Sequence, residues 1–286
     1  MNVLIIGKNS YIGGHISHWL SAYGWNVDQL DVLEEGWRSF DFSVFDVIVH
    51  VAGIVHKPNC HDWDLYKLVN ADMPVEIAKI AKASGRVKAY IFLSSMAVYG
   101  EEKKLNPNVI NSETPLLASS MYGKSKLLAE EELQRLQSNS FNIVIIRPPS
   151  VYGKGCRGGY ISGFTSFVRK MPIVPVCYQG VKQSMLYIDN LCELIRLIIV
   201  HNLKGVFCPQ DDKAVSANEI LNAIASGLGQ KARQSYVLGF LVKCIHFFPI
   251  IKKAYGGVQY SMELSKIRGI DYVVVPFEEG MKRTVS

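Results

Sequence analysis

The chain reads as an α/β protein: a doubly wound parallel sheet with a smaller C-terminal domain. Three observations carry this reading. The first half alternates short apolar runs with helically spaced ones, a glycine loop follows the first run, and the alternation stops after "RPPSVYG". With 286 residues the chain is long enough for one large α/β domain, or for a larger domain with a smaller one attached. Hydrophobic residues make up 49% and charged residues 20%, the balance of a globular rather than a disordered chain.

Strand-like apolar runs occupy residues 3–6, 26–30, 47–51, 90–93 and 143–146. Between them, Ile12, Ile16, Leu20 and Tyr23 recur at helical spacing, as do Ile77, Ile80 and Ala81. Beyond "RPPSVYG" come a Gly-rich basic loop, "GKGCRGGYISG", a strand-like "MLYI", a helix "NLCELIRLIIVHN" and a helix from Ser216 to about Gly227. The expected organisation is a nucleotide-binding domain over residues 1–150 with a returning segment near 185–202. Residues 151–184 and 203–286 then form a smaller, substrate-holding domain.

The N-terminal "MNVLIIG" reads directly as a first strand, without the charged, apolar and cleavage regions of a leader. Six scattered cysteines form no CxxC pair, as expected of reduced thiols, so the expected location is cytoplasmic. The stretch "VLGFLVKCIHFFPII" is the most apolar, but Lys243, His246 and Pro249 interrupt it. It is expected to pack as a helix in the smaller domain, with docking on a membrane surface as the minority reading. The net charge of +6 fits an anionic substrate or a nearby membrane surface, and the absence of a dense Lys/Arg block argues against nucleic acid.

"LIIGKNSYIGGHI" is strand, tight turn, helix, with Gly7, Ser10 and Gly13 at three-residue spacing. Such a turn lets backbone approach a pyrophosphate at the positive end of the next helix. Gly7, Ser10, Tyr11, Ile12 and Gly13 are therefore the candidate dinucleotide contacts. Ser10 capping the helix, with glycines for close packing, is compatible with the same role. Asp31, ending the second strand in "QLD", is placed to accept from an adenosine ribose and to repel a 2′-phosphate. This favours NAD over NADP, with Lys8 pulling mildly the other way. Asp41 and Phe42 in "SFDFS" are candidates to flank the adenine, an exposed turn being the alternative.

In "MYGKSK", Tyr122 and Lys126 stand four residues apart. Together with Ala129, Leu133 and Leu136 they form one helical stripe. A lysine on an apolar stripe implies something anionic to meet it. Lowering a tyrosine pKa from ~10 to ~7 takes about 4 kcal/mol of phenolate stabilisation. A neighbouring ammonium and an oxidised nicotinamide could provide that. "YIFLSSMAVYG" runs a strand directly into Ser94 and Ser95, at the sheet edge where open α/β sheets bind ligands. A hydroxyl there can hold a reacting oxygen.

The ordered motifs "GKNSYIG", "HVAG", "LVN", "FLSSMAVYG", "YGKSK", "IIRPPSVYG", "MLYIDN" and "PFEEGMKRT" resemble the extended short-chain dehydrogenase/reductase family. They look most like its nucleotide-sugar branch of UDP-galactose 4-epimerases and 4-keto-sugar reductases. The resemblance implies a Rossmann-type NAD domain, a domain holding a nucleoside diphosphate sugar, and a homodimer through a helix pair. By position it makes Ser95 the hydroxyl partner, Tyr122 the acid/base, and Lys126 its pKa setter and ribose contact. Ala52, Gly53 and Pro148 would line the cofactor, Asn70 would support the site, and Ser94, Met96 and Ser150 would meet the substrate.

Departures from the family pattern narrow the chemistry. Dehydratases of the family carry Asp-Glu where Met96-Ala97 stand, so elimination lacks its acid and base. Gln183 occupies the place of an arginine that often meets the substrate diphosphate, leaving Lys182, Lys154 or Arg157 to take over. Ser150 replaces an asparagine. Asp46 follows Asp31 by only 15 positions, a compact segment also found in dTDP-4-dehydrorhamnose reductases. His56, Cys60 and His61 gather in "VHKPNCHDWD" but match no four-ligand zinc spacing, so no metal is expected and His56 is a substrate candidate. "KGCRGG" could cradle phosphates with Lys154 and Arg157. The leading expectation is an NAD-dependent 4-epimerase of a UDP-hexose or UDP-N-acetylhexosamine. The alternative is an NAD(P)H-dependent 4-keto-6-deoxy-sugar-nucleotide reductase. A non-catalytic nucleotide sensor would have no use for Ser95, Tyr122 and Lys126 together.

Overall fold

A computed structural model describes residues 1–32, 35–55, 62–100, 103–156 and 160–286. The chain divides into two compact units. The first comprises Met1–Glu101, Pro115–Pro149 and Leu191–Pro209, and the second Glu102–Thr114, Ser150–Asn190 and Gln210–Ser286.

The first unit is built on a six-stranded parallel sheet. Its strands are β1 (Asn2–Ile6), β2 (Asn26–Leu30), β3 (Val47–His50), β4 (Ala89–Leu93), β5 (Asn142–Ile146) and β6 (Gly205–Phe207). Their spatial order is β2-β1-β3-β4-β5-β6. Every apolar run read as a strand is one. The continuous burial of Val3 to Ile6 and of Tyr90 to Phe92 is what a sheet covered on both faces demands. The order reverses at β1, flanked by β2 and β3, which makes the C-terminal end of β1 the ligand-binding switch point. The short 31–46 stretch has a structural consequence: its described residues form two 3-10 turns, at Glu35–Ser39 and Phe42–Val44, instead of another strand.

Four helices of this unit matter for the site: α1 (Tyr11–Ala22), α2 (Trp63–Lys67), α3 (Met73–Ala83) and α4 (Met121–Gln134). The α1 stripe buries Ile16 and Leu20, but Tyr23 closes the helix and stays exposed. Between α2 and α3, Leu68–Asp72 widens into a π-helical turn. Pro74, which has no N–H for a regular helical bond, follows after Met73. The carbonyl of Pro74 accepts from the Tyr90 hydroxyl at 2.9 Å. With its one proton so placed, the Tyr90 oxygen accepts from His50 Nδ1 at 2.7 Å, which sets the tautomer of this buried ring. Burial, reinforced by the nearby Lys126 charge, pushes the His50 pKa down to about 3.

The second unit is held by short strand pairs and by a buried carboxylate. Ser150–Tyr152 pairs in parallel with Met185–Tyr187. Asp211 accepts from the Tyr187 N–H, Asn190 Nδ2 and the Tyr152 hydroxyl, each at 2.8 Å. Burial pushes its pKa up to about 7 against the pull of those donors. The helix Ala217–Gly227 starts on a capping box of Ser216 and Glu219. The segment Leu191–Pro209, which ends in β6, joins the first unit, while Met185–Asn190 stays with the second. So does Glu102–Thr114, a membership that nothing in the sequence indicates.

The apolar stretch near 237–251 departs from its expected packing. It forms two helices, Tyr236–Cys244 and Pro249–Tyr255, with Pro249 opening the second. Gly239 is the one buried residue of the first. A Cβ there would lie 2.1 Å from the Val176 carbonyl oxygen. The helix is thus seated by its glycine edge with Leu238 and Val242 half-buried, while Tyr236, Val237, Phe240 and Leu241 are left exposed. Among the described residues no helix is long and apolar enough to cross a membrane.

The buried neutral His50 gives an acid-side prediction. Between about pH 3 and 6.5 the unfolded chain binds a proton that the folded chain refuses, so stability falls as pH drops through that window. His50→Asn removes this contribution. Melting temperatures recorded from pH 7 down to 4 should fall less steeply for the variant than for the parent protein, and parallel curves would refute the assignment.

Candidate active site

The glycine loop leaves β1 at Gly7, whose φ is +125°. A Cβ at Gly7 would also lie 2.8 Å from Val51 Cγ2 and 3.1 Å from the Ala52 nitrogen, so both dihedral and space call for glycine. The N–H groups of Gly7 and Lys8 donate to the Leu30 carbonyl, at 3.0 and 3.3 Å. Ser10 caps α1: its Oγ accepts from the Gly13 N–H at 3.0 Å and donates to the Gly7 carbonyl at 2.7 Å. Ser10 thereby shapes the loop, and Tyr11 and Ile12 form the first helical turn, with Tyr11 edge-on to His15. The result is bare backbone at the positive end of a helix, a cradle that fits a dinucleotide pyrophosphate. Half-buried Asp31 follows directly on Leu30, the residue to which the loop is tied.

Two of the adenine candidates serve the fold. The Asp41 carboxylate caps the turn at Phe42–Val44, accepting from the Ser43 N–H at 2.8 Å and the Ser43 hydroxyl at 2.6 Å. These bonds, the hydroxyl's first, hold its pKa below the ordinary aspartate value. The Phe42 ring is buried in the core against Phe40 and Phe45, so it does not present a face to a ligand.

Ala52 and Gly53 follow β3, and the Ala52 N–H is held by the Ile6 carbonyl at 2.9 Å. Asn70, fully buried in the π-helical turn, clamps the next residue on both sides. Its Oδ1 accepts from the Ile54 N–H at 2.9 Å, and its Nδ2 donates to the Ile54 carbonyl at 3.0 Å. The same Nδ2 donates to Ser125 Oγ at 3.1 Å, and Ser125 Oγ donates to the Tyr122 carbonyl at 2.9 Å. Asn70 therefore ties the loop after β3 to the helix turn that carries Tyr122.

One close approach sets the helix that carries Tyr122 and Lys126 against the turn that Ser95 caps. Ser120 caps α4 by accepting from the Gly123 N–H at 3.0 Å. A Cβ on Gly123 would lie 2.6 Å from the Ala97 carbonyl oxygen, so only glycine lets α4 seat on the 3-10 turn Met96–Tyr99. Ser95 caps that turn, its Oγ accepting from the Ala97 N–H at 3.1 Å, a bond that does not use its hydroxyl proton. The Met96 N–H is held by the buried Pro148 carbonyl at 2.9 Å. One turn along α4, Lys126 is buried with its Nζ donating to the Leu93 carbonyl at 2.9 Å and lying 4.5 Å from the Phe92 ring centre. Burial pushes its pKa down to about 7, against an upward pull from Glu130.

Glu130, Arg147 and Ser125 went unnoticed in the sequence. Glu130, buried, accepts from Arg147 Nε at 3.1 Å and Nη2 at 2.6 Å, and from the Ser94 hydroxyl in a short bond. Arg147 Nη1 donates to the Tyr99 hydroxyl at 2.7 Å. Burial works against the guanidinium charge, but the Glu130 bonds outweigh it and raise its pKa. Burial, with the Cys208 thiol beside it, pushes the Tyr99 hydroxyl up to about 12. Ser94 is thus corrected from a substrate contact to a buried donor to Glu130. No local pattern singles out Glu130, which stands one turn past Lys126 but off the counted stripe.

The substrate candidates of the second unit divide. Ser150 and Lys154 are exposed. Gln183 is buried, and its Oε1 accepts from Lys103 Nζ at 3.1 Å. Burial, with the Lys253 charge in addition, pushes the Lys103 pKa down to about 8. Sequence reading missed this cation because 80 positions separate the pair. His56, Arg157, Cys60 and His61 lie outside the described residues. Among the described residues no cluster of three or more His, Cys, Asp or Glu could hold a metal ion.

With these residues in place, comparison with known proteins is decisive at one level. Residues 3–207 match the NAD dependent epimerase/dehydratase family. The chain belongs to that family. It is 32% identical over 194 residues to UDP-glucose 4-epimerase of Vibrio cholerae, covering 66% of this chain and 58% of the relative. It is 26% identical over 231 residues to UDP-glucose 4-epimerase 4 of Oryza sativa subsp. japonica, covering 66% and 60%. The chain spans at most about three-fifths of the length of these relatives. Among solved structures, the UDP-glucose 4-epimerase of Thermus thermophilus in complex with NAD aligns over 100% of this chain and 98% of its own, with TM-score 0.73 and 23% identity. A dTDP-4-dehydrorhamnose reductase from Clostridium acetobutylicum aligns over the same shares, with TM-score 0.73 and 18% identity. Both likenesses extend the expected Rossmann-type fold of this epimerase/dehydratase family member over its full length.

The buried Lys126 yields a second pH prediction. Between about pH 7 and 10 the unfolded lysine holds a proton that the folded one gives up, so the folded state gains stability as pH rises across the window. Lys126→Met has no such term. The melting temperature of the parent relative to the variant should climb from pH 7 to 10, and a constant difference would show that burial does not lower the Lys126 pKa.

Proposed function

We propose that this family member is an NAD-dependent 4-epimerase acting in the cytoplasm on a UDP-hexose or UDP-N-acetylhexosamine through a transient 4-keto sugar. The observation that carries the reading is the seating of α4 on the Ser95 turn, which gathers a hydroxyl, a tyrosine and a buried lysine at the switch-point end of the sheet. The Gly7 cradle, Asp31, Ala52, Gly53 and Asn70 would hold the cofactor, and half-buried Asp31 favours NAD over NADP. When bound, NAD supplies a reversible hydride acceptor for C4 of the sugar.

The chain's own residues then handle the proton and the charge. Tyr122 takes the proton of the sugar 4-hydroxyl as the C4–H bond breaks, and returns it when the other face of the 4-keto sugar is reduced. Lys126, protonated beside it, stabilises the phenolate and is itself held by the Leu93 carbonyl. Ser95 donates to the reacting oxygen in both directions. Met96 and buried Ala97 offer no carboxyl to this turn, which disfavours dehydration. For the substrate diphosphate, Lys103 on Gln183 stands in for the missing arginine, with exposed Lys154 as a second cation. The homodimer implied by the family resemblance belongs to the same reading.

A 4-keto-6-deoxy-sugar-nucleotide reductase is the second reading, and the compact 31–46 segment is what favours it. It would use the same three residues in one direction, with Tyr122 as proton donor and NADH or NADPH consumed.

The purified protein, incubated with UDP-galactose and UDP-N-acetylgalactosamine, should yield the 4-epimer without net change in reduced-nicotinamide absorbance. No epimer, together with stoichiometric oxidation of NADH or NADPH by a UDP-4-keto-6-deoxy sugar, would replace the epimerase by the reductase. In either assay Tyr122→Phe should lower kcat by about 10²- to 10⁴-fold, the usual contribution of a general acid–base. Lys103→Met should raise KM for the sugar nucleotide about tenfold or more at nearly constant kcat, the loss of a charge-assisted contact made equally in ground and transition states. An unchanged KM would remove Lys103 from the substrate site.

A further inference from the structure

The second unit exposes an apolar surface that the proposed chemistry does not use. Tyr236, Val237 and Phe240 on the helix Tyr236–Cys244 are 75%, 73% and 66% exposed. In the following connection and helix, Phe247 is 64% and Ile250 68% exposed. Positions 236, 240 and 244 stack at i, i+4, and 237, 241 and 245 beside them, so the first helix offers a continuous apolar stripe on the side away from Gly239. Singly exposed apolar side chains are ordinary, but a contiguous set of aromatic and aliphatic ones marks a contact surface.

The charge around this surface points to its occupant. Between Glu219 and Glu263 the chain has no aspartate or glutamate. In the same interval stand Lys231, Arg233, Lys243, Lys252 and Lys253, all exposed. Among the described residues none of the five is ion-paired. A second copy of this chain would set two such basic faces against each other, since a two-fold contact pairs a surface with itself. An anionic bilayer surface complements both features: apolar and aromatic side chains enter the headgroup region while lysines meet lipid phosphates.

We propose that the surface formed by Tyr236–Cys244, the 245–248 connection and Pro249–Tyr255 docks the protein on an anionic phospholipid membrane, lying on it without spanning it. This inference is independent of which sugar nucleotide the first unit's residues act on.

Co-sedimentation with vesicles tests it on the full-length protein. The protein should pellet with phosphatidylcholine–phosphatidylglycerol vesicles, stay largely soluble with phosphatidylcholine alone, and be released as salt is raised. Lys252→Ala with Lys253→Ala should lower the partition coefficient about thirtyfold, two basic side chains each losing their attraction to the anionic leaflet. Phe240→Ser with Phe247→Ser should abolish most binding while leaving the melting temperature unchanged, because both rings are already in water. A parent protein that ignores anionic vesicles overturns the proposal. So does one whose self-association, measured by light scattering, is what the Phe240→Ser, Phe247→Ser variant removes, since the surface would then join copies of the chain.

Discussion

A single buried carboxylate fixes the position of the helix that carries Tyr122 and Lys126. Glu130 has almost no exposure, and an isolated charge at that depth would cost several kcal/mol. It is tolerable because Arg147 grips both its oxygens and Ser94 donates as well. Ser94 lies just past β4 and Arg147 just past β5, whereas Glu130 is on α4, so the bonds satisfying this charge also pin α4 to the ends of two central strands. Pairs of this kind gain little over an apolar packing of the same shape. Breaking one partner, however, is expensive, so their value lies in fixing one arrangement. Here the arrangement fixed is the register of Tyr122 and Lys126 over the strand ends.

Lys126 occupies the opposite electrostatic situation. Its ammonium has a carbonyl and an aromatic face for company, with Glu130 one helical turn away and already bound to Arg147. Glu130 therefore raises the lysine pKa only in part, and burial still holds it near 7. A lysine held there is stabilised by any anion formed beside it, and reciprocally stabilises that anion. Had Arg147 been absent, Glu130 would be free to neutralise Lys126 directly, and the lysine would lose most of its effect on a neighbouring phenol. The arginine therefore acts twice: it secures the helix and it keeps the carboxylate occupied.

What was readable in the sequence and what was not divides along sequence separation. The strands are short unbroken apolar runs and the Tyr122 helix repeats every third and fourth residue, so these local patterns announce them. Gly7, Ser10 and Gly13 declare their loop because the turn needs them within seven residues. Glu130 and Arg147 carry no such signature, since a buried ion pair looks like two surface charges until the fold brings them together. Lys103 and Gln183 are further apart still, and Glu102–Thr114 gives no sign of leaving the unit around it. Asp41 and Phe42 show the reverse failure: a polar–aromatic pair in a loop looked available to a ligand, while the turn itself claimed the carboxylate and the core claimed the ring. Hydropathy also mistook the 237–251 stretch, because apolar content alone cannot distinguish a buried helix from one that keeps its apolar face in water.

The distribution of charge bears on that last distinction. A net charge of +6 spread over 286 residues is unremarked in a globular chain. Here the residues strictly between Glu219 and Glu263 include five cations and no acid, so they account for all but one of the net positive charges. The remainder of the molecule, including the α4 network, is nearly neutral. Stability within the fold does not require this segregation: exposed lysines gain little from intramolecular pairing. Leaving four lysines and an arginine without ion pairs beside an exposed aromatic stripe carries a cost in solubility that an ordinary surface avoids. A chain that keeps both features on the same short stretch has a surface whose apolar and electrostatic parts are each incomplete in water, and which one kind of environment, apolar beneath and anionic above, completes together.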